Sequence, residues 1–436
     1  MLEPTLTRRT LIRAGASLAA GAVVLPHVSR GAPIAPRGGI RVGVIGCGGR
    51  GTGAAHDALH ASPDTIITAL GDAMPDRLAG CRASLEGNES FKGRVQVTDE
   101  TCFHGLDAYQ RVLAAPVDVV ILATPPGFRP IHFAAAIDAG KHVFMEKPVA
   151  VDPAGVRTVL AAAARAREKK LNVVSGTQRR HEACYLAAME RIRDGAIGRV
   201  LGANVSWNQG GLWMHPRKPE WSDTEWQLRN WLYFTWLSGD HICEQHVHNI
   251  DAALWALGDD LPSRALGLGG REVRTSPDYG HVFDHFGVTF EYDDGRFIVS
   301  QCRQIDGCAG RVEEIIYGSE GSAHLSSGRA QIKGKNPWRW EDSQPSPYVA
   351  EHVDLIAGVT GGPYINEGER IARSTLVAIA GRESAYTGAT LALDRVLNAD
   401  LSLMPVSLEL PGTLAMPEVA VPGRTKLPPP ITAERS

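Results

Sequence analysis

Between Ile40 and Asp72 the chain reads "IRVGVIGCGGRGTGAAHDALHASPDTIITALGD", and few folds accommodate such a stretch. The apolar run from Ile40 to Ile45 predicts a buried parallel strand, and it feeds Gly46, Gly48 and Gly51, which satisfy G-x-G-x-x-G and open a helix. A second strand follows, with Asp72 at its carboxyl end, 26 residues beyond Gly46. Glycines at these places let the backbone approach a pyrophosphate at the helix N-terminus, and the acid takes ribose hydroxyls. The expectation is a Rossmann dinucleotide-binding domain. NAD is the expected cofactor, because the Asp72 carboxylate would repel a 2'-phosphate; Arg50 and Arg77 are nearby cations that keep NADP open.

The alternation of strand and helix continues. "PVDVVILATPP" predicts a strand ending at Thr124 and Pro125, "IHFAAAIDAG" a helix, and "KHVFMEKPVA" a short strand ending in Glu146, Lys147 and Pro148. Polar residues at successive strand ends are how a doubly wound sheet presents its binding edge. A chain of 436 residues exceeds one ordinary core, so two domains plus appendages are expected. The divisions fall at 36–155 for the dinucleotide-binding domain, 156–400 for a substrate and oligomerisation domain, and 401–436 for a proline-rich C-terminal arm.

Residues 1–35 stand apart from the fold. "TRRTLIRAGASLAAGAVVLP" places the twin arginine Arg8-Arg9 before an apolar run too short to span a bilayer, and it resembles a twin-arginine export signal. An exported, periplasmic protein is therefore expected, with the membrane involved only in export. A net charge of -3 and 44% apolar residues describe a soluble globular chain with no basic patch for nucleic acid. The seven cysteines include no CxxC pair, and a protein folded before export would keep them reduced.

The densest polar stretch is "GDHICEQHVHNID", residues 239–251. With the apolar "AALWALG" that follows, it predicts one helix capped by Asp240 and stopped at Gly258. On a regular helix His241, Glu244, His248 and Asp251 share a stripe, and His246 faces away. Metal ligation, acid/base chemistry and a purely structural polar stripe all fit this spacing.

Taken in order, the glycine fingerprint, "ATPP", "AGKHVFMEKPVAVD" and "VHNIDAALWALG" resemble the Gfo/Idh/MocA family of sugar and cyclitol oxidoreductases, over nearly all of residues 38–400. The resemblance implies a Rossmann domain followed by an α/β domain with a large, open, mostly antiparallel sheet. It implies a cofactor site at Gly46, Gly48, Arg50, Gly51, Asp72, Thr124, Pro125, Glu146 and Lys147, and a Lys147-Pro148 bond that is often cis in relatives. The family's helix motif maps onto Glu244, His248 and Asp251. This chain departs from it by carrying Glu at the first place and "SGDH" where a glycine triplet is common.

Oxidation of a carbinol leaves a hydroxyl proton that needs a base within hydrogen-bond reach. On this reading His248 is the acid/base, Glu244 orients it or touches substrate, and Lys147 steadies the developing alkoxide. Arg180, His241 and Asp251 are the expected substrate contacts, and no metal is expected. Six tryptophans between Trp207 and Trp236 offer faces for sugar stacking or for local packing. The function expected is oxidation or reduction of a secondary hydroxyl in a sugar, glycoside or cyclitol, by copies of the chain assembled as a homo-oligomer. The alternatives are a redox-neutral glycoside hydrolase, lyase or sugar–sugar oxidoreductase with tightly held cofactor, and a noncatalytic sugar sensor.

Overall fold

The structure is a computed structural model that describes residues 39–431, so the twin-arginine segment lies outside the described residues. Strands Ile40–Ile45 (β1), Thr65–Asp72 (β2), Cys102–His104 (β3), Val119–Leu122 (β4), His142–Met145 (β5) and Val173–Ser175 (β6) pair in parallel, in the order β3-β2-β1-β4-β5-β6. Buried side chains alternate between two clusters. Val42, Val44 and Ile121 pack with Ala54 and Leu85 on one face, while Ile45, Val120 and Leu122 pack with Val112, Phe133 and Val156 on the other. Helices cover both faces, which is why these strands read as near-continuous apolar runs. The strand order reverses between β1 and β4, and the crevice outside their carboxyl ends is where such a sheet binds ligands.

The second sheet contains Val200–Gln209 (β7), Arg264–Gly270 (β8), His285–Glu291 (β9), Phe297–Gln304 (β10), Arg311–Gly318 (β11), Gly321–Ser326 (β12), Arg329–Gly334 (β13), Trp338–Arg339 (β14) and Leu391–Ala392 (β15). Its order is β14-β13-β12-β11-β7-β10-β9-β8-β15, open at both ends, and β7–β10 is its one parallel pair. The helices Val247–Ala256 and Gly368–Thr387 pack on one face.

Two boundaries differ from the sequence reading. The first sheet does not end at 155, which falls inside the helix Pro153–Glu168; the three-residue β6, too short to show a period, adds its sixth strand beyond that point. Later the helix Pro347–Val359 returns to the first sheet, where Leu355 and Ile356 join its core. The segment from 401 lies along its own chain: Leu403 N donates to Asp152 Oδ2 at 2.6 Å and Leu414 N to Asp223 Oδ2 at 3.2 Å. Among the described residues all seven cysteines are free, and no helix is long and apolar enough to cross a membrane.

Candidate active site

The glycine turn explains itself sterically. Gly46 has φ +99°, and a Cβ there would sit 2.5 Å from the Ala123–Thr124 backbone, so β1 can turn beside β4 only without a side chain. A Cβ on Gly51 would come within 1.7 Å of the Gly46 carbonyl oxygen, so the helix Gly49–Ala61 packs against the turn only with glycine there. Gly48 differs, because a Cβ would meet nothing within 4 Å. It faces a cavity of about 810 Å³ that Gly46, Asp72, Thr124, Pro125, Glu146 and Lys147 also line. These three environments match the roles of the three glycines in a dinucleotide fingerprint: tight turn, close approach of pyrophosphate, and helix packing. The residues therefore fit NAD(P).

Asp72 stands at the cavity's edge with both oxygens engaged: Oδ2 accepts from Cys47 N at 2.6 Å and Oδ1 from Met74 N at 2.8 Å. Burial raises its pKa, and these two amides work in the opposite direction. Each oxygen keeps further lone pairs for a ribose hydroxyl. Arg50 lines the cavity too, but its charge is already matched by Glu146 at 2.9 Å and Asp57 at 2.8 Å, and its guanidinium lies 5.1 Å over the Tyr348 ring. Arg77 is the exposed cation on the rim. Thr124 Oγ1 lies 3.1 Å from His132 Nδ1, and burial lowers the His132 pKa to about 3, so that ring is neutral.

At the other end of the cavity, Lys147 follows β5 through a cis Lys147-Pro148 bond. Its Nζ donates to the Glu244 carbonyl at 2.5 Å and lies 3.3 Å from Glu244 Oε1. Glu244 and His248 do not share one regular helix. The expected helix is broken into His241–Glu244 and Val247–Ala256, with His246 N reaching back five residues to His241 O. Asp240 does cap the first piece, accepting from His241 N at 2.6 Å. The break sets Glu244, Gln245 and His248 around the cavity with Lys147. His246 turns to the sheet, where Nε2 meets Ser300 Oγ at 2.9 Å.

His248 stacks on Trp207 at 5.7 Å between centroids. Burial, followed by the nearby Lys147 charge, drives its pKa well below the ordinary value, so the ring is neutral. Its Nδ1 is buried without a partner, as is Glu244 Oε2.

The three expected substrate contacts are placed elsewhere. Arg180 is held by Asp251 at 2.8 Å and Asp259 at 2.6 Å, and lies over Trp255. Asp251 also accepts from Arg370 and Ser374. Burial opposes its ionisation, yet the two arginines prevail and hold its carboxyl well below the usual range. His241 Nδ1 lies 3.1 Å from Asp240 Oδ1 with its ring against Phe286. None of the three lines the cavity. The charges of Arg180 and Asp251 are spent on one another and their neighbours, pairing that sequence spacing does not reveal, whereas His241 Nε2 is buried without a partner away from the cavity. His241, Glu244 and His248 also face different partners, and among the described residues no group of three such side chains is placed to hold a metal ion.

Several lining residues escaped the sequence reading. Gln245 sits at the helix break, which no glycine or proline marks, and Tyr348 comes from the helix Pro347–Val359, far from β5 in the chain. Trp213 and Trp231 line the cavity, whereas Trp226 and Trp236 are buried in a satellite core.

A family model described as "Oxidoreductase family, NAD-binding Rossmann fold" (GFO_IDH_MocA) matches residues 40–174, and a GFO/IDH/MocA C-terminal domain model matches residues 185–324. Inositol 2-dehydrogenase 3 of Saccharopolyspora erythraea is 30% identical over 362 residues, spanning 80% of this chain and 94% of that protein. The 2,7-anhydro-N-acetylneuraminate hydratase of Escherichia coli is 26% identical over 226 residues, 50% of this chain and 55% of that protein. Aldose-aldose oxidoreductase from Caulobacter crescentus, complexed with glycerol, shares the fold with a TM-score of 0.63 at 19% identity, over 81% of this chain and 99% of that one. Levoglucosan dehydrogenase, in complex with NADH and levoglucosan, does so with a TM-score of 0.64 at 18% identity, over the same shares, 81% and 99%.

Proposed function

The chain belongs to the Gfo/Idh/MocA family of NAD(P)-dependent oxidoreductases, and on that premise we propose that it oxidises or reduces a secondary hydroxyl of a sugar, glycoside or cyclitol. The observation that carries this reading is the convergence of Lys147, Glu244 and His248 on the cavity that the glycine turn and Asp72 also line. When bound, NAD(P) supplies the hydride acceptor or donor. The Lys147 ammonium stabilises negative charge developing on the substrate oxygen. Neutral His248 is in the state that takes a proton from a hydroxyl, and its buried Nδ1 leaves Nε2 as the nitrogen that can reach a ligand. Burial disfavours the imidazolium, so the proton must pass on; Glu244 Oε2, buried without a partner across the helix break, is a candidate acceptor for it. The inositol and sugar relatives support the substrate class. A noncatalytic sensor would have no use for this constellation.

Purified protein offered NAD+ or NADP+ with a panel of inositols, aldoses and glycosides should reduce nicotinamide with at least one of them, read by its absorbance. A nucleotide-loaded protein that changes neither absorbance nor substrate across the panel would sink the proposal. A redox-neutral turnover is the second reading, favoured by the hydratase among the relatives. It would show as product at the substrate's oxidation level with no net absorbance change.

Arg8 and Arg9 before the short apolar run support a twin-arginine route to the periplasm. Converting both to lysine is expected to strand the protein in the cytoplasm, as cell fractionation would report; unchanged export would refute the route. An assembly of copies is supported by the second sheet's other face, where Leu266, Leu268, Phe297 and Tyr317 are exposed.

A further inference from the structure

Two parts of the chain take no part in the chemistry above: the tryptophan-rich segment and the stretch after residue 400. They meet at the same place. Asp72 marks the adenosine-ribose end of a dinucleotide site. Trp213, His215, Arg229 and Trp231, all from the chain beyond β7, line the same cavity as Asp72 and Arg77.

Their position is latched from both sides. Arg229 grips Asp76, just past β2, with two bonds of 3.0 Å, and its Nε holds Glu225 at 2.9 Å. Met74 is buried in one cluster with Trp226 and Tyr233. From outside, the C-terminal stretch ties the segment down: Thr224 N donates to Gly412 O at 3.2 Å and Gln227 Nε2 to Ala415 O at 3.3 Å. Trp213 lies 6.2 Å from Trp231 and 5.1 Å from His215, yet remains 42% exposed. An exposed aromatic wall with a polar rim suits a flat heteroaromatic ring.

We propose that this segment completes the dinucleotide site by closing over its adenosine half, with the Arg229–Asp76 pair as the latch, so that the cofactor is retained from one turnover to the next. The inference rests on the NAD(P) reading above. The Trp-rich segment is then the cover, and the C-terminal stretch holds the cover in place.

The test is the release rate of NADH from full-length protein, followed by nicotinamide fluorescence on mixing with excess NAD+. Loss of an interfacial contact acts mainly on the off-rate. Arg229→Glu sets like charges against Asp76 and Glu225 and should speed release by about fivefold. The double variant Asp76→Arg/Arg229→Glu should bring it back to within about twofold, since the pair is restored with its charges exchanged. Trp213→Ala, at a half-exposed position that the core does not need, should speed release by about tenfold. Wild-type release from both Arg229→Glu and Trp213→Ala, each folded by circular dichroism, would overturn the inference. Failure of the wild-type protein to bind NADH or NADPH at all would instead overturn the cofactor reading on which it stands.

Discussion

Lys147→Ala should yield a folded protein that still binds NADH but turns over about 10²- to 10³-fold more slowly, the usual cost of removing one donor aimed at a developing oxyanion. The expectation follows from what Lys147 touches. Its ammonium is buried between the end of β5 and the broken helix, held at 2.5 Å by a main-chain carbonyl, so it is already oriented before substrate arrives. Preorganised charge in a water-poor site contributes far more than a mobile surface lysine would. Steady-state turnover on an identified substrate, alongside an NADH fluorescence titration, separates the two effects. Near-normal turnover in the variant would remove Lys147 from the chemistry; loss of NADH binding with turnover would make it a cofactor residue alone.

The second large effect is expected from the glycine turn, where two single-methyl additions should behave differently. Gly51→Ala forces a methyl to within 1.7 Å of the Gly46 carbonyl oxygen, which is backbone and cannot yield, so the helix must move off β1. Overpacking of this kind costs about 1–3 kcal/mol, sometimes more, and denaturant unfolding should show it. Gly48→Ala meets nothing and keeps φ -71°, an ordinary value for alanine, so stability should change by no more than about 0.5 kcal/mol. Its methyl instead enters the space that pyrophosphate needs, so NADH affinity should fall by about tenfold or more. A Gly48→Ala protein with full affinity would show that the dinucleotide does not approach this turn.

What the sequence made legible was whatever local pattern controls. Strand β1, its glycine turn and Asp72 form a continuous run whose spacing follows from backbone geometry, and each lies where the pattern required. Lys147 and the Glu244/His248 segment were singled out through short local motifs, Glu146-Lys147-Pro148 and the stretch from Glu244 to Asp251. Partner choice across the fold was not legible. Arg180 is captured by Asp251 and Asp259, 71 and 79 residues away, which converts an expected ligand-binding arginine into a closed ion-pair network. The helix break at Gln245 was also hidden: the composition of "CEQHVHN" is compatible with a continuous helix, and the partner of the Glu244 carbonyl at the break, Lys147, lies 97 residues away in sequence. The neutrality of His248 depends on burial and on a lysine one hundred and one residues earlier in the chain, neither of which a single segment can display.

The same break has a consequence for how this site tolerates genetic change. Lys147 is tethered chiefly by the carbonyl of residue 244, an atom that every amino acid carries, with the Glu244 side chain as the longer second contact. The anchor of the lysine is thus insulated from mutation of the side chain at position 244. A shorter carboxylate there would change its reach into the cavity while the carbonyl still holds the ammonium.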